Sequence, residues 1–193
     1  MDQSRLFRII EIMRNYLSAL FLLLFVFQVN AQSKYFTKSG TIIFESSVPS
    51  FEEVKATNNK VSAVLKDDGS FASLVLLKGF RFKIALMEEH FNENYIESAK
   101  YPKSSFSGKI KSFKIDDLTS SFKEFELEGS LKIRGISQKV STKCQIKKDG
   151  DAIVLKTRFK TKPEDFSIEI PKVVRGKIAE KVDVVAEFTL KKK

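Results

Sequence analysis

The sequence predicts an all-β fold, an antiparallel barrel with one short helix, and three observations carry that expectation. Apolar and polar residues alternate with period two over most of the chain, the mark of strands with one buried and one wet face. Turn signals at Asp67-Asp68-Gly69 and Lys148-Asp149-Gly150-Asp151 join such runs into hairpins. The runs are long: about ten residues at about 3.3 Å each reach roughly 30 Å, more than most sandwich strands. Sandwich and up-and-down barrel both fit the alternation. Strand length favours the barrel, whose closure also removes exposed edges.

At the N-terminus, Arg14 and Asn15 precede an apolar run from Tyr16 to Phe27 broken only by Ser18, and Val29-Asn30-Ala31 follows. This is the pattern of a secretory signal peptide, residues 1–31, cleaved after Ala31. The run is about half of the roughly 20 residues a spanning helix needs, so a retained membrane anchor is the weaker alternative. Met13 opens a more conventional signal sequence than Met1, and the start codon stays open between them. No Cys stands near the cleavage site to carry a lipid. Residues 32–193 are then one domain around one core, soluble in the periplasm or secreted.

The elements follow in order. Gly40 to Ser46 is a strand. Val61, Ala63 and Leu65 share a face before the Asp67 turn, and Ser70 to Lys78 returns as a more continuously apolar strand. From Ala85 to Ser98 the alternation stops: Leu86, Met87, His90, Phe91, Asn94 and Tyr95 recur at helical spacing. Ser104 to Phe113 is again extended. Next, Phe125, Leu127, Gly129, Leu131 and Ile133 face inward against Glu126, Glu128, Ser130, Lys132 and Arg134, with Gly129 marking a bend. Val140, Thr142, Cys144 and Ile146 pair across a turn with Ile153, Leu155, Thr157 and Phe159. Phe166 to Ile170 predicts a further strand. The last carries Val182, Val184, Ala186, Phe188 and Leu190 on one face, a pattern only Val185 interrupts. Eight or nine strands result.

Several of these segments together resemble the YceI-like family of polyisoprenoid-binding periplasmic proteins. The stretch Leu86-Met87-Glu88-Glu89-His90-Phe91 and its continuation to Ser98 run into Lys100-Tyr101-Pro102 and Phe106-Ser107-Gly108. Gly129-Ser130-Leu131-Lys132-Ile133-Arg134-Gly135-Ile136 follows later. The resemblance spans about residues 40 to 191. It implies an extended eight-stranded, lipocalin-like antiparallel barrel whose interior holds an isoprenoid quinone-like chain, with no cofactor beyond that lipid. Arg134 stands where many relatives carry His, so a contact made by an imidazole there does not carry over.

The residues themselves offer little chemistry. His90 is the single histidine, so neither a His-rich metal site nor a Ser/His/Asp triad can be assembled, and packing of the helix on the barrel is its expected role. Cys144 has no intramolecular partner, so the fold rests on packing, and its parity turns it inward, away from any base. Glu88, Glu89, Glu93 and Glu97 read as a solvated helix face. No phosphate loop, nucleotide fingerprint or nucleophile elbow occurs. The expectation is therefore a binding protein with no catalytic residues.

The formal charge of +10 favours anionic partners: lipid head groups, envelope glycolipids or proteins, but not nucleic acid in an exported chain. The lysines are spread along every segment, so plain solubility is the other reading. The chain holds 18 Phe and no Trp. Outside the leader these rings need apolar surroundings, either a filled barrel interior or one that holds a ligand. Inward parity marks Phe82, Phe106, Phe125, Leu127, Leu131, Ile133, Phe159, Val184 and Phe188 as the cavity lining. The leading expectation is binding, sequestration or transport of an isoprenoid or other long apolar lipid in the envelope, with transient contact at an anionic membrane surface. The alternative is a filled barrel whose basic face binds an anionic partner. The oligomeric state is open, a homodimer included.

Overall fold

The computed structural model describes residues 7–8, 11–16 and 33–193. It divides the chain into two units, Met1–Gln32 and Ser33–Lys193. In the first, residues 11–16 are helical; the rest of the apolar run and the Ala31 cleavage point lie outside the described residues. Among those described, no helix is long and apolar enough to cross a membrane.

The second unit is built from eight long strands: β1 (Lys34–Ser47), β2 (Lys55–Lys66), β3 (Ser70–Leu76), β5 (Lys103–Ile110), β6 (Lys123–Ile133), β7 (Ile136–Asp149), β8 (Ala152–Thr161) and β9 (Ile178–Lys192). A two-residue strand, β4 (Arg81–Phe82), pairs with the start of β2. The order β1-β9-β8-β7-β6-β5-β3-β2, with β1 pairing back to β2, closes an antiparallel barrel. One short helix, α1 (Ala85–His90), continues through a wider turn over Phe91–Tyr95.

Local chemistry sets the connections. In the β2–β3 turn, Asp68 accepts from the Ser70 backbone N–H at 2.8 Å and its hydroxyl at 3.0 Å. Between β6 and β7, Arg134 and Gly135 form a two-residue loop with φ of 49° and 80°, the positive pair that matches strand twist. The bend read at Gly129 has a steric cause. Gly129 sits opposite Gly108, and a Cβ on either would fall within 2.8 Å of the Phe106 ring. The glycine pair thus lets that ring lie against the sheet.

Phe166–Ile170 is not a strand. Pro163 starts a 3₁₀ turn over Pro163–Phe166, and Ser167 closes it in the left-handed region with φ 54°. Pro lacks the N–H a ladder needs, and this segment pairs with no strand. It instead crosses the barrel mouth, with Phe166 buried at 1% exposure.

Candidate functional site: an apolar cavity at the open end of the barrel

The two ends of the barrel differ. At the closed end, Val61, Leu65, Ile110, Phe113, Leu118, Phe125, Cys144, Ile146, Ile153, Leu155 and Leu190 fill the interior. At the open end a cavity of about 510 Å³ remains, within the roughly 300–1,000 Å³ range of small-molecule sites. Phe71, Phe106 and Phe188 form its floor, with Phe71 5.4 Å from Phe188 and 6.1 Å from Phe106 between ring centroids.

The space exists because the walls part. β7 and β8 pair from Asp149↔Ala152 only as far as Cys144↔Thr157. Beyond that point β7 stays with β6 and β8 with β9. Side chains bridge the seam: Thr142 donates to the Arg158 carbonyl at 2.8 Å, and Gln138 to the Asp165 carbonyl at 2.7 Å. The 162–168 segment covers it further out.

The walls present carbon. Several of their hydroxyls are turned into the backbone: Ser46 donates to Ala179 at 2.9 Å, Ser104 to Lys132 at 2.9 Å and Thr157 to Lys143 at 3.0 Å, while Ser73, Ser105 and Thr161 also border the cavity without such a bond among the described residues. Polar groups satisfied in this way do not compete for a ligand or hold water. The charged lining residues Glu52, Lys162 and Lys177 belong to loops at the mouth, not to the barrel walls. Lys162 is held by Glu180 at 2.8 Å and Glu164 at 3.1 Å, which raises its pKa above the usual lysine range.

Phe44, Phe80, Phe82 and Phe91 cluster beside the mouth, with Phe44 5.1–5.6 Å from the other three. These contacts seat α1 and its extension on the barrel. Arg134 ties the mouth together, ion-paired with Glu97 and donating to the Ser167 carbonyl. It also lies 5.6 Å over the Tyr101 ring.

Of the residues marked by parity, Phe82, Phe106, Leu127, Leu131, Ile133, Phe159, Val184 and Phe188 border the cavity. Phe125 does not. Its ring packs edge-on against Phe113 at 5.7 Å in the closed end, because parity fixes inside or outside but not height along the barrel. Sequence reading missed Ile42, Phe44, Phe71, Phe80, Phe91, Phe166, Ile168 and Val174. The alternation of β1 and β3 could have found Ile42, Phe44 and Phe71. The loop residues follow no period.

Cys144 is buried at 1% exposure, and burial, with Glu124 nearby, pushes its thiol up to about 12. His90 lines the mouth of the cavity. Among the described residues, no group of three or more His, Cys, Asp or Glu could hold a metal ion.

Solved structures share this fold, among them the following three. A polyisoprenoid-binding domain from Saccharophagus degradans superposes with a TM-score of 0.71 at 13% identity, over 83% of this chain and 98% of its own. Burkholderia cenocepacia BcnA gives 0.64 at 14%, covering 78% and 95%. The Campylobacter jejuni YceI protein gives 0.57 at 15%, covering 74% and 88%. At such identities the likeness concerns the fold alone. No curated protein matches by sequence. Residues 29–190 match the YceI-like domain, and the chain belongs to that family.

Proposed function

We propose that the protein binds a long apolar lipid of isoprenoid type inside the barrel and sequesters or carries it in the cell envelope, without chemical conversion. The observation that carries this reading is the cavity of about 510 Å³, lined mostly by Phe, Ile, Leu and Val side chains. Such a surface recognises hydrocarbon, and each buried CH₂ contributes about 0.8 kcal/mol. The polyisoprenoid-binding description of the Saccharophagus degradans domain supports the ligand class. The leader of residues 1–31 supports export to the periplasm or beyond, where the lipid is exchanged by transient contact with an anionic membrane surface. A barrel filled throughout, as an interaction module would have, is less well supported, since filling is confined to one end.

Organic extraction of the protein purified from its own envelope, followed by mass spectrometry, tests the proposal. The expected result is a stoichiometric prenyl lipid. A protein that carries none, and takes up none when offered, would sink it.

A further inference from the structure

We propose that the loop 171–177 docks the barrel mouth on an anionic lipid bilayer, so that the cavity fills directly from the membrane. The proposal rests on the lipid-binding reading above and names the surface through which it would operate. The loop reads Pro171-Lys172-Val173-Val174-Arg175-Gly176-Lys177, three cations around two valines. Val173 is 85% exposed, the most of any large apolar side chain among the described residues. Its neighbour Val174 lines the cavity. One valine therefore meets solvent while the next meets the lipid site.

Charge complementarity selects the partner. Lys172, Arg175 and Lys177 are exposed and form no ion pair among the described residues. The Arg175 guanidinium meets only the Ile170 carbonyl, at 3.4 Å. Carboxylates around the mouth are partly engaged, Glu53 with Lys55 and Glu164 and Glu180 with Lys162. Glu52, Glu89, Glu93, Asp165 and Glu169 remain exposed there, so the attraction is a property of this loop and not of the whole rim.

Two further apolar side chains stand out at the same end, Phe51 at 49% exposure and Leu86 at 56%. Phe51 borders the cavity, and Leu86 precedes Met87, which also does. A bilayer accounts for all of these at once: apolar tips enter the boundary between head groups and acyl chains while the cations meet phosphates. Lipid can then pass into the mouth without crossing water.

The experiment measures co-sedimentation of the purified protein with vesicles of phosphatidylglycerol and phosphatidylcholine, against phosphatidylcholine alone. Each basic residue near an anionic leaflet strengthens binding about five-fold, so the variant Lys172→Glu/Arg175→Glu, which spares the cavity-lining Lys177, should lose on the order of 25-fold. Val173→Asp should weaken binding several-fold, and 0.5 M salt should weaken that of the wild type. The control Lys34→Glu/Lys114→Glu changes charge equally, and its residues lie outside the loop. It should bind nearly as the wild type does.

Uptake of geranylgeraniol without vesicles, read by native mass spectrometry, reports on the cavity and should be the same in all variants. Wild-type uptake with vesicle binding that is absent, or indifferent to the loop, overturns the docking proposal alone. Equal loss in the control overturns it as well. No uptake by the wild type overturns the lipid-binding reading and this proposal with it.

Discussion

The closed and open ends of the barrel share strands and alternation yet have opposite interiors. Below the floor of Phe71, Phe106 and Phe188, inward positions carry Leu65, Ile110, Ile146, Ile153, Leu155 and Leu190, each at 2% exposure or less. Above it, the same face of the same strands carries Ser73, Ser104, Thr142, Thr157 and Thr161 among its large residues. Branched aliphatic side chains meet across the barrel where β7 and β8 pair. Short hydroxyl side chains cannot meet where the two strands part. The filled end supplies close packing and hence stability, and the open end keeps apolar surface uncovered. One sheet thus divides anchoring and binding along its axis.

The largest expected effect comes from a charge at the junction. Leu127 is 2% exposed and borders the cavity, so Leu127→Glu buries a carboxylate without a partner. Its pKa should rise by about 3 units, equivalent to about 4 kcal/mol. Lipid load should collapse, and the melting temperature should fall more at pH 8 than at pH 5. An unchanged load would break the assignment of this wall to the ligand.

A pair of truncations then sharpens the contrast between the ends. Leu155→Ala opens a new void in close packing and should cost about 3 kcal/mol in urea unfolding. Phe159→Leu alters a wall that already faces space and should cost about 1 kcal/mol or less, while changing which lipid chain lengths co-purify. Equal costs would mean that the open end is as tightly packed as the closed one.

The smallest effect is a pH dependence located in the closed end. The Cys144 thiol is neutral in the fold but ionises in the unfolded chain near the ordinary thiol value of 9.0. Its contribution is fully present below pH 9 and is lost as pH rises toward about 12. The wild-type advantage over Cys144→Ala should therefore shrink by on the order of 1 kcal/mol at pH 10. Denaturant titrations at pH 7 and pH 10 read the difference. A constant advantage would place the thiol in contact with water.

Much of this molecule is legible in the residues alone. Period-two alternation set the strands and their faces, the Asp68-Gly69 and Gly150 turns set two hairpins, and the 3.6-residue spacing from Leu86 to Tyr95 set the helical segment. The same alternation turned Cys144 inward. The segment Phe166–Ile170 misled because apolar residues that cross a mouth and apolar residues in a strand have the same local pattern, and only the missing partner tells them apart. Phe125 misled for a different reason. Alternation is a property of one strand, whereas a cavity depends on what eight strands place at the same height. The tertiary structure alone decided that the β7–β8 seam opens beyond Cys144 and that Phe125 meets Phe113 below the floor. It alone brought Phe44, Phe80 and Phe91 together over the mouth, because side-chain volume at a given level is a sum over residues far apart in the chain.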